Sequence, residues 1–413
     1  MTERSVFRWQ RNLYFLAVAQ FFSTLGFQGV SPLLPLFVQD LGVRAPSEAA
    51  FWTGVAHFAG GFCSFLAGPL WGAMADRYGR RTMVLRSTAA GAVILAITGL
   101  SPNLAFLIVM RSLHGALTGV NAASFALAVS QAPQKRTAFA LGIVQMAFFL
   151  GTMAGPLLGG FLADSFGYRA PFFVTGGLLV VSFLVVLLFV REKFEPPPET
   201  KERLHPLRNV RMVLGLPNVV PLLGMLLVTR CGPFMLFPVM AVFMQEMVAQ
   251  GAATMAGLAF ALLGLASALA SVLIGRWGQS HNLHVAVLVA AFGASAFYLP
   301  QAWVRSPGAS LALFAIVGLF QGTLLTATNA LLSTSVSRQH QGAVFGVVQS
   351  VNAMALASAS LIAGTMSVAM GFRSIFVVDA LMFFFMGMVA LWMFKTQRRR
   401  LQKEGVDART KQA

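Results

Sequence analysis

Arg111 and His114 stand one helical turn apart in an apolar run long enough to cross a bilayer. Thr118 and Asn121 follow at steps of four and three. On a helix these four positions make one narrow polar stripe. An arginine near mid-bilayer costs about 2.5–3.5 kcal/mol on insertion scales, so it needs a water-filled cavity or close partners. Arg230, inside another apolar run, raises the same requirement. Histidine is the side chain whose reference value lies near physiological pH. His114 beside Arg111 therefore reads either as a residue that hydrogen-bonds across helices or as a proton switch whose affinity the guanidinium sets, linking proton and cargo through one cluster. His57, with no charged residue near it in sequence, is a weaker candidate. Gln28 and Ser31 close a second polar stripe that begins at Gln20, Ser23 and Thr24.

The acids are placed differently. No Asp or Glu falls in the middle of an apolar run; Asp40, Asp164 and Glu246 sit at run ends. Asp379 lies about one turn into the last run, where the helix dipole favours an acid, and is a further weak candidate for proton binding. Cys63 and Cys231 are both inside apolar runs, so neither a disulfide framework nor a metal site is expected. The chain has no Walker A lysine motif, no His-Glu-x-x-His and no Gly-x-Ser-x-Gly, which argues against an enzyme and against ATP as the driving force.

The elements that must position these residues are legible from composition. The 413 residues are 57% hydrophobic and 10% charged, against about 25% charged in soluble domains. Apolar runs of membrane-spanning length fall near 12–39, 50–74, 82–100, 104–129, 138–163 and 171–190, then 219–247, 254–274, 284–304, 309–333, 343–370 and 374–395. The fold class is an all-α membrane protein of twelve helices. The division is a six-helix bundle over 1–190, a linker over 191–218 rich in charge and proline, a second bundle over 219–395 and a tail over 396–413. A short surface helix is expected around Leu204 to Val213. The basic N-terminus leads into a first span that reads as retained, not as a cleaved signal. Of 30 Lys and Arg, four lie in outer loops (Arg44, Arg169, Arg305, Arg373) and Arg111 and Arg230 within spans. The others sit in the inner segments, which places both termini in the cytoplasm. The same placement turns the net charge of +17 into a topology signal and argues against nucleic-acid binding.

The halves repeat. Residues 141–174 align without gaps on 345–378, with Gly142, Gln145, Gly160, Gly167 and Arg169 meeting Gly346, Gln349, Gly364, Gly371 and Arg373. Parallel repeats of this size are a transporter architecture. Between the second and third spans lies Gly72-Ala73-Met74-Ala75-Asp76-Arg77-Tyr78-Gly79-Arg80-Arg81, and the fifth span reads Gly151-x-x-x-Gly155-Pro156-x-x-Gly159-Gly160. The loop resembles the signature loop of the major facilitator superfamily, and the fifth span resembles the antiporter motif of its drug:proton exporters. Arg111-Ser-Leu-His114-Gly115 is similar to the family's Arg-x-x-Gln-Gly element, with histidine in place of glutamine.

The resemblance covers nearly the whole chain and is strongest to the twelve-span drug:proton antiporters, an MdtG-like group of multidrug exporters among them. It implies a cavity lined by the first, fourth, seventh and tenth spans. It also implies a latch at Gly72, Asp76, Arg77, Gly79, Arg80 and Arg81 that holds the outward-facing state, and efflux of small amphipathic molecules driven by proton entry, with no cofactor. The expected setting is the bacterial inner membrane, with lipid around a functional monomer. Two alternatives stay open: an exchanger or importer of organic anions, suggested by Arg111 and Arg230 without a central acid, and a lipid or lysolipid flippase. The fifth-span glycines, Gly155 included, are expected to pack on the eighth span's small-residue face: Gly257, Ala261, Gly264 and Ala268.

Overall fold

The computed structural model describes residues 3–133, 136–192, 194, 212–216, 219–277, 283–334 and 341–410. Among them are twelve helices long and apolar enough to cross a membrane, labelled here as spans. They are α1 (Trp9–Asp40), α2 (Pro46–Gly68), α3 (Arg80–Gly99), α4 (Leu104–Gln131), α5 (Phe139–Phe166) and α6 (Ala170–Phe189). The second set is α7 (Val219–Leu236), α8 (Ala252–Ile274), α9 (Leu283–Ala302), α10 (Pro307–Leu332), α11 (Ser350–Met370) and α12 (Ser374–Lys395). Helices are what a chain without access to water must form, because each backbone N–H and C=O is then paired within its own segment. The helix expected around Leu204 to Val213 falls almost wholly outside the described residues.

The 204-residue repeat is a repeat of structure. The helix containing α5 runs Thr137–Phe166 and that containing α11 runs Gln341–Met370. Each ends on a glycine with positive φ, Gly167 at 87° and Gly371 at 79°, a conformation that side chains with a Cβ disfavour. α6 and α12 then start at Ala170 and Ser374.

Two bundles result. Within the first, α1 packs on α5 and α6, and α2 on α4; within the second, α8 packs on α10, and α9 on α10 and α12. Between them, α5 packs on α8 and α2 on α11. Contacts on the face opposite the termini hold them together. On the face opposite the chain termini, Val30 to Val38 at the end of α1 and Met235 to Met244 beyond α7 form largely buried tracts. Leu33 and Leu36 enter the second bundle's core. Gln245 donates to Gln39 at 3.1 Å, and the Asp164 carboxylate accepts from the Thr254 amide at 2.7 Å and its hydroxyl at 2.6 Å. Toward the termini face, Gly68 and Gly72 of the α2 helix and Gly142 of α5 meet nothing within 4 Å. Among the described residues, close contacts between the bundles are seen on the face opposite the termini.

Candidate functional site

Three spans expected to line the centre are broken there. α1 tightens into a 3-10 turn at Ser31–Leu33 around Pro32, and α7 carries Pro233 and stops at Leu236 before a short helix at Met240–Gln245. α4 breaks between Leu117 and Val120, with Gly119 at φ 136°. No turn signal in the sequence was read as announcing the α4 break. Discontinuous helices at mid-membrane expose backbone and small side chains to a binding site.

The Arg111 cluster is built on a close approach of α2 and α4. A methyl group at Gly115 would run into the Gly60 carbonyl, so the glycine after His114 is what lets the two helices meet. That contact brings Arg111 onto His57: Nη2 donates to the imidazole Nε2 at 3.4 Å, while His57 Nδ1 lies 3.1 Å from the Thr53 carbonyl. The pair of contacts selects the tautomer with the proton on Nδ1, donating to Thr53, and the Nε2 lone pair facing Arg111. His57 thus belongs at the centre of the site, not at its margin. Sequence distance hid it, since 54 residues separate it from Arg111. His57 also stacks on Phe237 of the second half, ring centroids 5.8 Å apart.

His114 packs edge-on against Phe27 of α1 at 4.9 Å, and its Nε2 is buried with no hydrogen-bond partner among the described residues. Seven residues on, Asn121 is exposed and accepts from Gln20 Nε2 at 2.6 Å, and Gln20 also reaches Thr24 at 2.8 Å. Gln28 and Ser31 are half-buried, Ser31 donating to the Phe27 carbonyl. The rest of the α1 stripe goes elsewhere: Ser23 bonds Ser182 of α6 at 2.7 Å. Arg230 is half-buried with no hydrogen-bond or ion-pair partner among the described residues. It lies one turn below Phe234, whose ring is 5.7 Å from Phe237, so on helical geometry it shares the face of α7 that reaches His57. Gln321 of α10 turns away, donating to the Tyr298 hydroxyl of α9 at 2.6 Å.

A third intramembrane arginine was missed. Arg86 of α3 lies 3.3 Å from the Trp71 ring centroid, with Nε and Nη1 buried and lacking hydrogen-bond partners among the described residues. Its position close behind Arg77, Arg80 and Arg81 made it read as loop charge. A guanidinium over an indole face is a favourable use of such a position.

The fifth-span glycines divide between two neighbours. Gly151, Gly155 and Gly159 meet the backbone of α1 at Phe21, Leu25 and Gly29, inside their own bundle. Pro156 and Gly160 are the residues that meet α8, at Gly257 and Ala253. The expected contact with α8 exists, but Gly155 is not part of it, because it faces α1.

At the loop after α2, Gly79 adopts φ 92° and the α3 helix starts at Arg80. The Asp76 side chain lies outside the described residues. The donors at this helix start are taken by Glu192, whose carboxylate accepts from the Arg80 and Arg81 amides at 3.2 and 2.8 Å, a charge well placed against the helix dipole. Arg81 binds the carbonyls of Val190 and Leu187. These contacts of Arg81 and Glu192 tie the start of the linker to the first bundle and do not reach the second.

Asp379 is 0% exposed and neither carboxylate oxygen has a hydrogen-bond partner among the described residues. Its helix begins at Ser374, so it sits beyond the first turn, where the dipole effect has faded. No group of three or more His, Cys, Asp or Glu that could hold a metal ion occurs among the described residues.

The Major Facilitator Superfamily model matches this chain twice, over residues 16–252 and 222–412. The chain is 32% identical over 386 residues to the multidrug resistance protein MdtG of Dickeya zeae, covering 92% of this chain and 93% of that protein. It is 31% identical over 379 residues to MdtG of Enterobacter lignolyticus, covering 91% and 90%. Among solved structures it is similar to a bacterial homologue of the human lysosomal transporter Spinster in an inward-facing, unoccupied conformation, with TM-score 0.76 and 15% identity over 94% of this chain and 97% of that one. The human organic anion transporter MFSD10 gives TM-score 0.66 and 20% identity over 92% and 99%.

Proposed function

Because the chain belongs to the major facilitator superfamily, we propose that it exports amphipathic drugs from the cytoplasm by alternating access, driven by proton entry. It is a multi-pass membrane transporter of small molecules, not an enzyme. The observation that carries the reading is the contact of α5 on α8 and α2 on α11 at the face opposite the termini, and the reading takes the other face as the open one. With both termini cytoplasmic, as the basic inner segments favour, the open side is the cytoplasmic one and this is an inward-facing state. The kinship to multidrug resistance proteins supports drugs as cargo.

Cargo entering there meets Arg111, His114 and Asn121 from α4, Gln28 and Ser31 from α1, and Arg230 from α7. The phenylalanines at 27, 234 and 237 supply apolar, adaptable surface. The loop at Gly72, Asp76, Arg77, Gly79, Arg80 and Arg81 latches the cytoplasmic side once the bundles close there, and one chain completes the cycle without a partner. Division at 190 and 219 leaves each bundle able to move as a unit about its α5–α8 and α2–α11 contacts.

A second reading rests on Arg230, a cation with no acid beside it, which suits an organic anion as cargo. Both are tested in everted vesicles from a pump-deficient cell. The drug-export reading expects ethidium accumulation that an imposed proton gradient drives and an uncoupler abolishes. Accumulation of carboxyfluorescein but not ethidium would transfer the assignment to anions. Transport of neither dye, with the protein inserted, would count against both.

A further inference from the structure

Asp379 is the one carboxyl that the described structure buries deep inside a bundle. We propose that it is the proton-binding group of the transport cycle, and that the Tyr298 hydroxyl is the donor that receives it when the proton leaves. The proposal rests on the reading of this chain as a proton-coupled transporter.

Its surroundings have two properties that a proton site needs. The first is tolerance of the neutral acid: Asp379 is 0% exposed and both oxygens are without partners among the described residues. Met382 and Phe383 follow it by one turn on the same face of α12, and Cys231 of α7 lies near enough to feel its charge. A carboxyl placed this way is tolerated when protonated and costly as an anion. An ionisable group so placed inside a span is a functional-site hypothesis by default.

The second property is a donor held ready for the anion. Tyr298, also fully buried, packs on α12 against Phe383, one turn beyond Asp379 on the same face. Its oxygen already accepts from Gln321 Nε2 at 2.6 Å, so the phenolic hydrogen remains free to donate. Stacking on Phe383, with centroids 5.5 Å apart and rings 7° from parallel, fixes the ring. Gln321 and Phe383 together hold the hydroxyl in place. This explains why Gln321 of α10 points into the bundle.

The other ionisable groups on the spans packed against α12 lie away from Asp379: His284 of α9 meets α12 about four turns further on, at Phe394. α9 presents Tyr298, α7 presents the Cys231 thiol, with Arg230 next to it about 100° further round the helix, and α11 carries no ionisable side chain. The histidines are less suited. His57 has both ring nitrogens engaged, so a proton on Nε2 would break its bond to Arg111, and His114 shares that same permanent cation. Access to water is through α7. Cys231 is half-buried, and Gly232 and Pro233 follow it in a span that breaks at Leu236. Proline there removes the bond to the Thr229 carbonyl and leaves a hinge. Movement of α7 during closure exposes Asp379, and its return seals it.

The test is infrared difference spectroscopy of the purified full-length protein between acid and alkaline buffer. The protonated carboxyl C=O band is read in wild type, Asp379→Asn, Asp379→Glu, Tyr298→Phe and Arg111→Gln. Wild type should show a buried carboxyl band that disappears on alkalinisation, missing in Asp379→Asn and displaced but still titrating in Asp379→Glu. The Glu variant covers the case in which Asn fails to fold. Tyr298→Phe should change the proton affinity of that band at least about tenfold, and Arg111→Gln should leave it where it was. A band that never titrates, or none that depends on Asp379, overturns the proton site. An unmoved titration in Tyr298→Phe overturns the donor role. Ethidium transport by wild-type vesicles is measured in parallel, so that failure of proton-driven export is seen separately from failure of the Asp379 assignment.

Discussion

Gly160 and Gly364, 204 residues apart, make the same contact from opposite bundles. Gly160 lies against the Ala253 carbonyl at the start of α8, and Gly364 lies 3.0 Å, measured from a Cβ position, from the Ala50 carbonyl at the start of α2. Both contacts sit on the sealed face. The pseudo-twofold relation between the bundles therefore extends to the surfaces they slide on.

Leucine at either position cannot be accommodated without separating the bundles. Gly160→Leu and Gly364→Leu should each reduce ethidium transport by more than about tenfold while the protein still inserts and stays monodisperse, since overpacking a tight contact costs about 1–3 kcal/mol. Gly155→Leu should behave differently. It strikes α1 within one bundle, so the first loss should be in thermal stability of the detergent-purified protein. Equal melting temperatures for Gly155→Leu and wild type would show that α1 and α5 are looser than this packing implies.

The Arg111–His57 bond gives a second prediction. His57→Leu removes the acceptor and leaves part of a buried guanidinium unsatisfied, a loss of about 1–3 kcal/mol that should appear as a lower melting temperature and weaker transport. His57→Gln retains an acceptor and should recover most of the stability. If Leu and Gln are equally tolerated, the contact at 3.4 Å contributes nothing.

On the sealed face, Asp164 holds the first turn of α8 from across the bundle interface. Beside it, Tyr168 has its phenol pushed up by burial and then by Asp164 and Asp40, which keeps it neutral. Asp164→Ala should weaken the sealed face by about 1 kcal/mol, roughly a fivefold shift in the ratio of states. Labelling of a cysteine introduced at Gln39 by a membrane-impermeant maleimide reads this directly. The rate should rise in the Ala variant; an unchanged rate would mean that apolar packing alone keeps the face shut.

On the parted face the expectation reverses. If the loop at Asp76 latches the other state, Asp76→Asn should populate the parted conformation further. Distances between spin labels on the inner ends of α2 and α11 should then shift to the longer component, with insertion intact. Glu192→Gln, which weakens only the cap within the first bundle, should lower stability by about 0.3–1 kcal/mol and leave that distance distribution alone.

Much was decided by local sequence. Twelve apolar runs, breaks at glycine and charge, and the 204-residue repeat follow from hydropathy and turn chemistry. These act over a few residues, and the helices end where the glycines at 167 and 371 say they should. The small residues of α5 likewise announced close contacts. What local sequence could not supply was the partner at each contact. Gly155 and Gly160 carry the same residue type, yet face α1 and α8, because five residues of helix rotate a side chain by more than a quarter turn. His57 met Arg111 only because Gly60 and Gly115 let α2 and α4 touch. Asp379 read as a helix-end acid until packing enclosed it on every side. The contacts that join the bundles on the face opposite the termini were also beyond any linear reading, since they depend on which helices of the two halves meet.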